Sequence, residues 1–184
     1  MSMLAGIPRF PVFGARLMDA LPLAPLALAS ERMVASVVRR HPALLARLGA
    51  QTDKTFLLDA VDLPILFVLR PRVSEPRLDV YRRGAEPAWD ARIAGPLAAL
   101  LGMVHGALDG DALFFSRDIV IEGDTEAVLA LRNAVDDAEL DLPAEALALL
   151  GPLERFAEPP LRRALRIAER LTSVALSRAP GRMS

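Results

Sequence analysis

The stretch Asp111-Ala-Leu-Phe-Phe-Ser-Arg-Asp-Ile-Val-Ile-Glu-Gly-Asp-Thr125 constrains this chain most, because it commits the backbone to a strand, a turn and a helix within one short span. Leu113, Phe114, Phe115, Ile119, Val120 and Ile121 are the aromatic and β-branched types that a buried strand favours, with Ser116-Arg117-Asp118 as a polar break between them. Gly123 punctuates the run. Asp124 or Thr125 can then accept a hydrogen bond from the free N–H groups of a helix beginning near Glu126.

The rest of the chain is read around that junction. Pro8, Pro11, Pro22 and Pro25 prevent the apolar first thirty residues from forming one long helix. The run from Ala20 to Ala29 is too short to span a bilayer, which takes about twenty apolar residues. Asp19 and the prolines also spoil it as a signal-peptide core, so the expected location is cytoplasmic. This arm either packs on the domain or seeks a surface through Ile7, Phe10, Phe13, Leu17 and Met18 with Arg9 and Arg16. Helical spacing then runs from about Ser30, read as a cap, to Leu48, with Gly49 as a stop and Pro42 splitting the helix.

Strands are expected over Thr55–Val61 and Pro64–Arg70, joined as an antiparallel hairpin, then over Arg77–Arg82 and, more weakly, Ala88–Ala94. Gly95-Pro96 opens a helix to about Leu108, apolar on nearly every side, which is either buried all round or lines an apolar cavity. The opening stretch supplies a fifth strand. An amphipathic helix follows from Glu126 to about Leu140, a short one from Pro143, and a last one from about Pro160 to Ser177. The result is an α+β layout with helices laid on a small sheet. The expected division is an N-terminal apolar arm over 1–29, a domain over 30–145 and a C-terminal helical appendage over 146–184.

Composition narrows the function. Hydrophobic residues make up 53% of the 184 positions and charged residues 24%, which excludes a disordered chain. Cysteine is absent, so disulfides, thiolate metal sites and cysteine nucleophiles are excluded. The net charge of −1 conceals basic ends and an acidic middle, residues 109–145 carrying eleven acids against Arg117 and Arg132. No broad basic field with stacking aromatics exists, so nucleic acid is not an expected partner. The run Asp136, Asp137, Glu139 and Asp141 lies at the C-terminal end of its helix, where the macrodipole disfavours acids by a few tenths of a kcal/mol each. It is either a solvated face or a docking patch, through Asp136, Asp137 and Glu139, for a basic partner. The final helix sets Leu161, Leu165, Ala168 and Leu171 against Arg162, Arg163, Arg166 and Arg170, a pattern that fits either packing on the core or an anionic membrane surface.

Catalytic constellations are missing. The chain has no nucleophile elbow, no phosphate-cradling loop and no dinucleotide fingerprint, so neither a cofactor nor a catalytic group is expected. Of the two histidines, His41 reads as a polar helix end. His105, four residues before Asp109, could pair with it as a base and orienter or as two metal ligands, but no third ligand follows at a suitable spacing and no metal site is expected.

The run Leu113-Phe-Phe-Ser-Arg-Asp-Ile-Val-Ile-Glu-Gly-Asp-Thr-Glu126 resembles the strand-turn-helix signature of the sterol-carrier-protein-type lipid-binding domain. Its start, Arg117, its end and the continuation Leu131-Arg-Asn-Ala-Val-Asp-Asp-Ala-Glu-Leu140 are similar to one branch, the UbiT-type accessory factors of oxygen-independent ubiquinone biosynthesis. The resemblance implies a layered α+β fold whose mainly antiparallel sheet of about five strands is covered by helices around an apolar tunnel, without chemistry of its own. It further implies binding of lipid or polyprenyl quinone intermediates, presentation to iron-sulfur hydroxylating partner proteins, and a role compatible with peripheral membrane contact and a homodimer. The expected tunnel residues are Phe67, Leu97, Leu101, Val104, Leu113, Phe115 and Ile119, each of which reads equally as ordinary core, and Arg117 beside Asp118 is either a headgroup contact at the tunnel mouth or a surface ion pair. The alternatives are an interaction scaffold with a vestigial pocket, a general phospholipid or fatty-acyl carrier, and an enzyme using His105.

Overall fold

Prolines and one glycine set the breaks in the first half of the chain. The computed structural model describes residues 9–104 and 118–138, together with Leu140 and Glu145. Helix α1 spans Val12–Ala20 and α2 spans Leu23–Arg40. The expected cap at Ser30 is not one: Ser30 is buried inside α2, which starts a full two turns earlier behind Pro22. Pro25 is accommodated because it falls in the first turn, where an N–H has no intrahelical acceptor anyway. Pro42 does split the helical run, as expected. It stands at the first position of α3 (Pro42–Leu48), which ends at Gly49. A 3-10 turn over Gly49–Asp53 leads into the sheet.

Five strands follow, β1 (Phe56–Ala60), β2 (Ile65–Arg70), β3 (Arg77–Arg82), β4 (Ala91–Gly95) and β5 (Val120–Gly123), with α4 (Leu97–Val104) after β4 and α5 (Thr125–Ala138) after β5. Their order across the sheet is β3-β2-β1-β4-β5. Every pairing is antiparallel except β1 with β4, so the sheet is mixed and mainly antiparallel, an α+β fold as expected. The expected C-terminal appendage over 146–184 lies outside the described residues.

Alternation along the strands creates two different faces. Phe56, Leu58 and Ala60 of β1 turn toward the helices, as do Ile65, Phe67 and Leu69 of β2 and Ile93 of β4. Leu57, Leu66 and Val68 point the other way and pack with Tyr81. On the helical side, Leu44, Leu45 and Leu48 of α3 meet Val128, Leu131 and Ala134 of α5 in the largest cluster. Phe56, Ile65 and Val68 are essentially inaccessible, and each such side chain contributes about 1.5–3 kcal/mol by leaving water.

The outer face also holds a charge. Asp59 of β1 is buried between two guanidiniums, Arg83 donating at 2.7 Å and Arg92 at 2.6 Å. Arg92 reaches Glu122 as well, while Arg83 donates to the Leu63 and Ala60 carbonyls. His41, at the C-terminal end of α2, is 3.1 Å from Glu145, which Arg40 also approaches at 3.1 Å. The helix-end role expected of His41 is therefore what the fold shows.

Candidate functional site

The register of the sheet assembles a row that no single strand reveals. Val80 on β3 stands opposite Phe67 on β2, Phe67 opposite Leu58 on β1, Leu58 beside Ile93 on β4, and Ile93 opposite Ile121 on β5. One apolar side chain from each strand thus crosses the whole sheet on its helical face. Ile93 is fully buried, but Val80, Phe67, Leu58 and Ile121 stay only half-buried. Phe67 and Leu58 lie on inner strands and Val80 and Ile121 on the two edge strands, so the row runs from edge to edge and keeps part of its apolar surface accessible.

Helix α4 supplies much of the helical side of these contacts. Its small residues, Ala98, Ala99 and Gly102, are the buried ones, and small side chains allow close packing on that side. Its large residues, Leu97, Leu100, Leu101, Met103 and Val104, are all half-buried. Leu100 packs against two separate apolar clusters, one with Phe67, Val80 and Leu97, the other with Ile93, Leu58, Val104 and Ile121. Met33 and Val38 of α2 complete the apolar surroundings of the second cluster. The lining offers apolar area and almost no hydrogen-bonding groups, the chemistry that suits a long hydrocarbon tail.

Two polar devices hold this layer in place. Asp62 lies in the β1–β2 turn, and its carboxylate accepts the Leu97 N–H at 2.9 Å and the Phe10 N–H at 2.7 Å. It caps α4 from a distance and anchors the segment entering α1. At the far end of the row, the β5–α5 junction follows the expected chemistry: Asp124 accepts the Ala127 N–H at 3.0 Å and pairs with Lys54 at 2.8 Å. The Lys54 ammonium and the Ala127 N–H hold the Asp124 carboxyl below its ordinary value. Gly123 adopts φ 80°, and a Cβ there would come within 2.3 Å of the Asp90 carbonyl oxygen.

Of the expected tunnel residues, Phe67 lies in the row, and Leu97 and Val104 approach it from α4. Leu101 is half-buried on the same helix. Ile119 is packed into the main core at 4% exposure. Leu113, Phe115 and Arg117 lie outside the described residues, as do His105, Asp109 and Glu139. Sequence reading did not single out Leu58, Val80 or Ile121, whose placement depends on register between strands, nor Leu100 of α4. Asp136 and Asp137 are exposed, but each already faces an arginine, Arg132 at 3.6 Å and Arg47 respectively. No cluster of three or more metal-ligating side chains occurs among the described residues.

The model of the SCP-2 sterol transfer family matches residues 35–136, more than half of the chain and all five strands. The chain belongs to the SCP-2 sterol transfer family. Within this family it is similar to the ubiquinone biosynthesis accessory factor UbiT of Escherichia coli strain K12, with 38% identity over 61 residues, 33% of this chain and 35% of that protein. The UbiT of Escherichia coli O157:H7 matches equally. The chain thus matches about a third of the length of these curated relatives. Among solved structures, the UbiJ-SCP2 ubiquinone synthesis protein superposes with a TM-score of 0.52 at 20% identity, covering 65% of this chain and 96% of that one. The SCP-2 fold accounts for the layered sheet and for the helices lying on one side of it.

Proposed function

We propose that this SCP-2 family member is a non-catalytic lipid-binding accessory protein that holds isoprenoid quinone intermediates and presents them to the hydroxylating proteins of oxygen-independent ubiquinone biosynthesis. The observation that carries the reading is the half-buried row Val80, Phe67, Leu58 and Ile121 beneath the leucines of α4. Similarity to UbiT supports the choice of quinone intermediates over other lipids. A polyprenyl tail laid along the row would gain about 25 cal/mol for each Å² removed from water, enough to retain it without a hydrogen bond. Leu97, Leu101 and Val104 serve as the helical wall, and the hydroxylating partners, iron-sulfur proteins of the pathway, would receive the headgroup where it emerges.

The protein works in the cytoplasm, at the face of the membrane in which such intermediates dissolve. A docking role for the acidic end of α5 has less support, because Asp136 and Asp137 already spend charge on Arg132 and Arg47.

The reading is tested by titrating the purified chain with a short-chain ubiquinone precursor and by identifying co-purified apolar molecules by native mass spectrometry. A bound isoprenoid is expected. Leu58→Trp, which fills the row at the central strand, should weaken binding by about tenfold or more, since an occupied channel cannot accept the tail. Leu129→Trp, at an exposed position of α5, should leave it unchanged. Absence of any apolar ligand together with no quinone binding, or equal binding by Leu58→Trp, rejects the proposal.

A further inference from the structure

Helix α1 is apolar on both sides. No residue of it is buried. On its inner side, Phe10 just before it and Met18 within it pack against Ala60, Leu63 and Ile65. Its attachment is polar: the Phe10 N–H donates to Asp62, and Arg82 donates to the Met18 carbonyl at 3.2 Å, to the Leu21 carbonyl and to Asp19 at 3.3 Å. On its outer side, Val12 is 69% exposed, Phe13 80%, Leu17 58% and Leu21, immediately after the helix, 54%. Phe13, Leu17 and Leu21 are four residues apart and form one stripe. These side chains face out although the helix is fastened down, so their exposure is a property of the docked arm.

We infer that α1 is a membrane-surface anchor, which lays its outer stripe among the acyl chains of an anionic bilayer while its inner side stays fixed to the domain. Charge favours this occupant. Arg9 and Arg16 flank the stripe, both are exposed, and neither forms an ion pair among the described residues. Asp19, the one acid in α1, is already turned to Arg82. Area also favours it. Taking about 150–250 Å² for a whole large side chain, four of them at these exposures offer roughly 400–650 Å², half to four-fifths of the ~800 Å² per partner that a stable protein interface takes. A second copy of the chain would therefore be held poorly by this face, whereas a fluid bilayer conforms to a narrow convex stripe. Among the described residues no single helix is long and apolar enough to cross a membrane; α1 and α2 reach that length and apolarity only together, across a bend of 100°, and α2 packs on β3, so the contact is interfacial. The anchor also lies before residues 35–136, outside the stretch that the family model matches.

The anchor's value to a lipid carrier rests on the function proposed above, but its existence does not. The test is co-sedimentation of the full chain with vesicles of phosphatidylcholine alone or mixed equally with phosphatidylglycerol. The wild-type chain is expected to bind the mixed vesicles. Phe13→Asp with Leu17→Asp should weaken binding by about tenfold or more, and Arg9→Glu with Arg16→Glu should weaken it on the anionic vesicles and remove its salt dependence. These positions are exposed, and an unchanged melting temperature will verify the fold. The inference is overturned if the wild-type chain binds neither vesicle, or if the Phe13 and Leu17 variant binds equally well. It is also overturned if that variant turns a dimer into a monomer in sedimentation velocity while vesicle binding is unaltered. Quinone titration of the same variant separates the two readings: retained quinone binding with lost vesicle binding supports the anchor, and vesicle binding by a wild-type chain that takes no quinone leaves the anchor standing without the carrier.

Discussion

Asp59 shows what a carboxylate on a sheet must have around it. Burial alone would raise its pKa, and the hydrogen bonds from Arg92 and Arg83 outweigh burial and lower it from the ordinary 3.8. A carboxyl that titrates lower in the folded chain than in the unfolded one stabilises the fold fully above the unfolded value, and that contribution disappears as pH falls through the folded value. Arg92→Met leaves Asp59 with one guanidinium. It should cost about 2–3 kcal/mol at neutral pH, below the full loss for a broken buried pair because Arg83 remains, and should shift acid unfolding to higher pH. Urea titrations of both proteins across acidic pH check this; superimposable curves would contradict it. Nothing in the linear sequence marked Asp59, since its two partners come from beyond β3 and from β4. His41 was legible, because its position before Pro42 already restricted it to a helix end.

At the scale of elements, the β5–α5 junction was the most readable part of the chain. Its glycine and its acid act locally, so the residues themselves carry the signal. Gly123→Ala places a side chain in a left-handed conformation, at about 1–2 kcal/mol, and drives its Cβ against the Asp90 carbonyl. The total loss should exceed the conformational part alone, and thermal unfolding of Gly123→Ala against wild type will measure it; a change of less than about 1 kcal/mol would refute the clash. The strands were legible for the same reason, through alternation and β-branched composition. The start of α2 was not. Prolines argued only against one long helix over the first thirty residues, and a serine at position 30 offered a cap, but a first-turn proline costs a helix nothing and the apolar face of α2 wins by packing on β3. The row across the sheet was invisible too, because Leu58 meets Ile93 only once a parallel pairing is fixed. Ile119 was legible as apolar, but its place in the core is set by the whole fold. Gly95 helps to set it: a Cβ there would stand 2.8 Å from the Asp118 carbonyl, so only a glycine lets the backbone before β5 come this close.

For the whole molecule, sequence reading recovered the layers and the strand count, and the arm illustrates where it stopped. Packing and surface-seeking were two competing accounts of the arm, and among its described residues Phe10 and Met18 pack inward while Phe13 and Leu17 are exposed. The seam between β1 and β4 also sets an order in time. β1, β2 and β3 are joined by short turns and can zip as a meander, whereas pairing Phe56 with Ala91 must first close a span of 35 residues. Val80, Phe67 and Leu58 therefore come together before Ile93 and Ile121 arrive, and pulse-labelled hydrogen exchange during refolding should protect the β1–β3 amides ahead of those in β4 and β5. Simultaneous protection would refute that order. Until the seam closes, three-fifths of the row is a bare greasy ledge on a half-made protein, which makes β4 the strand whose late arrival exposes the nascent chain to aggregation.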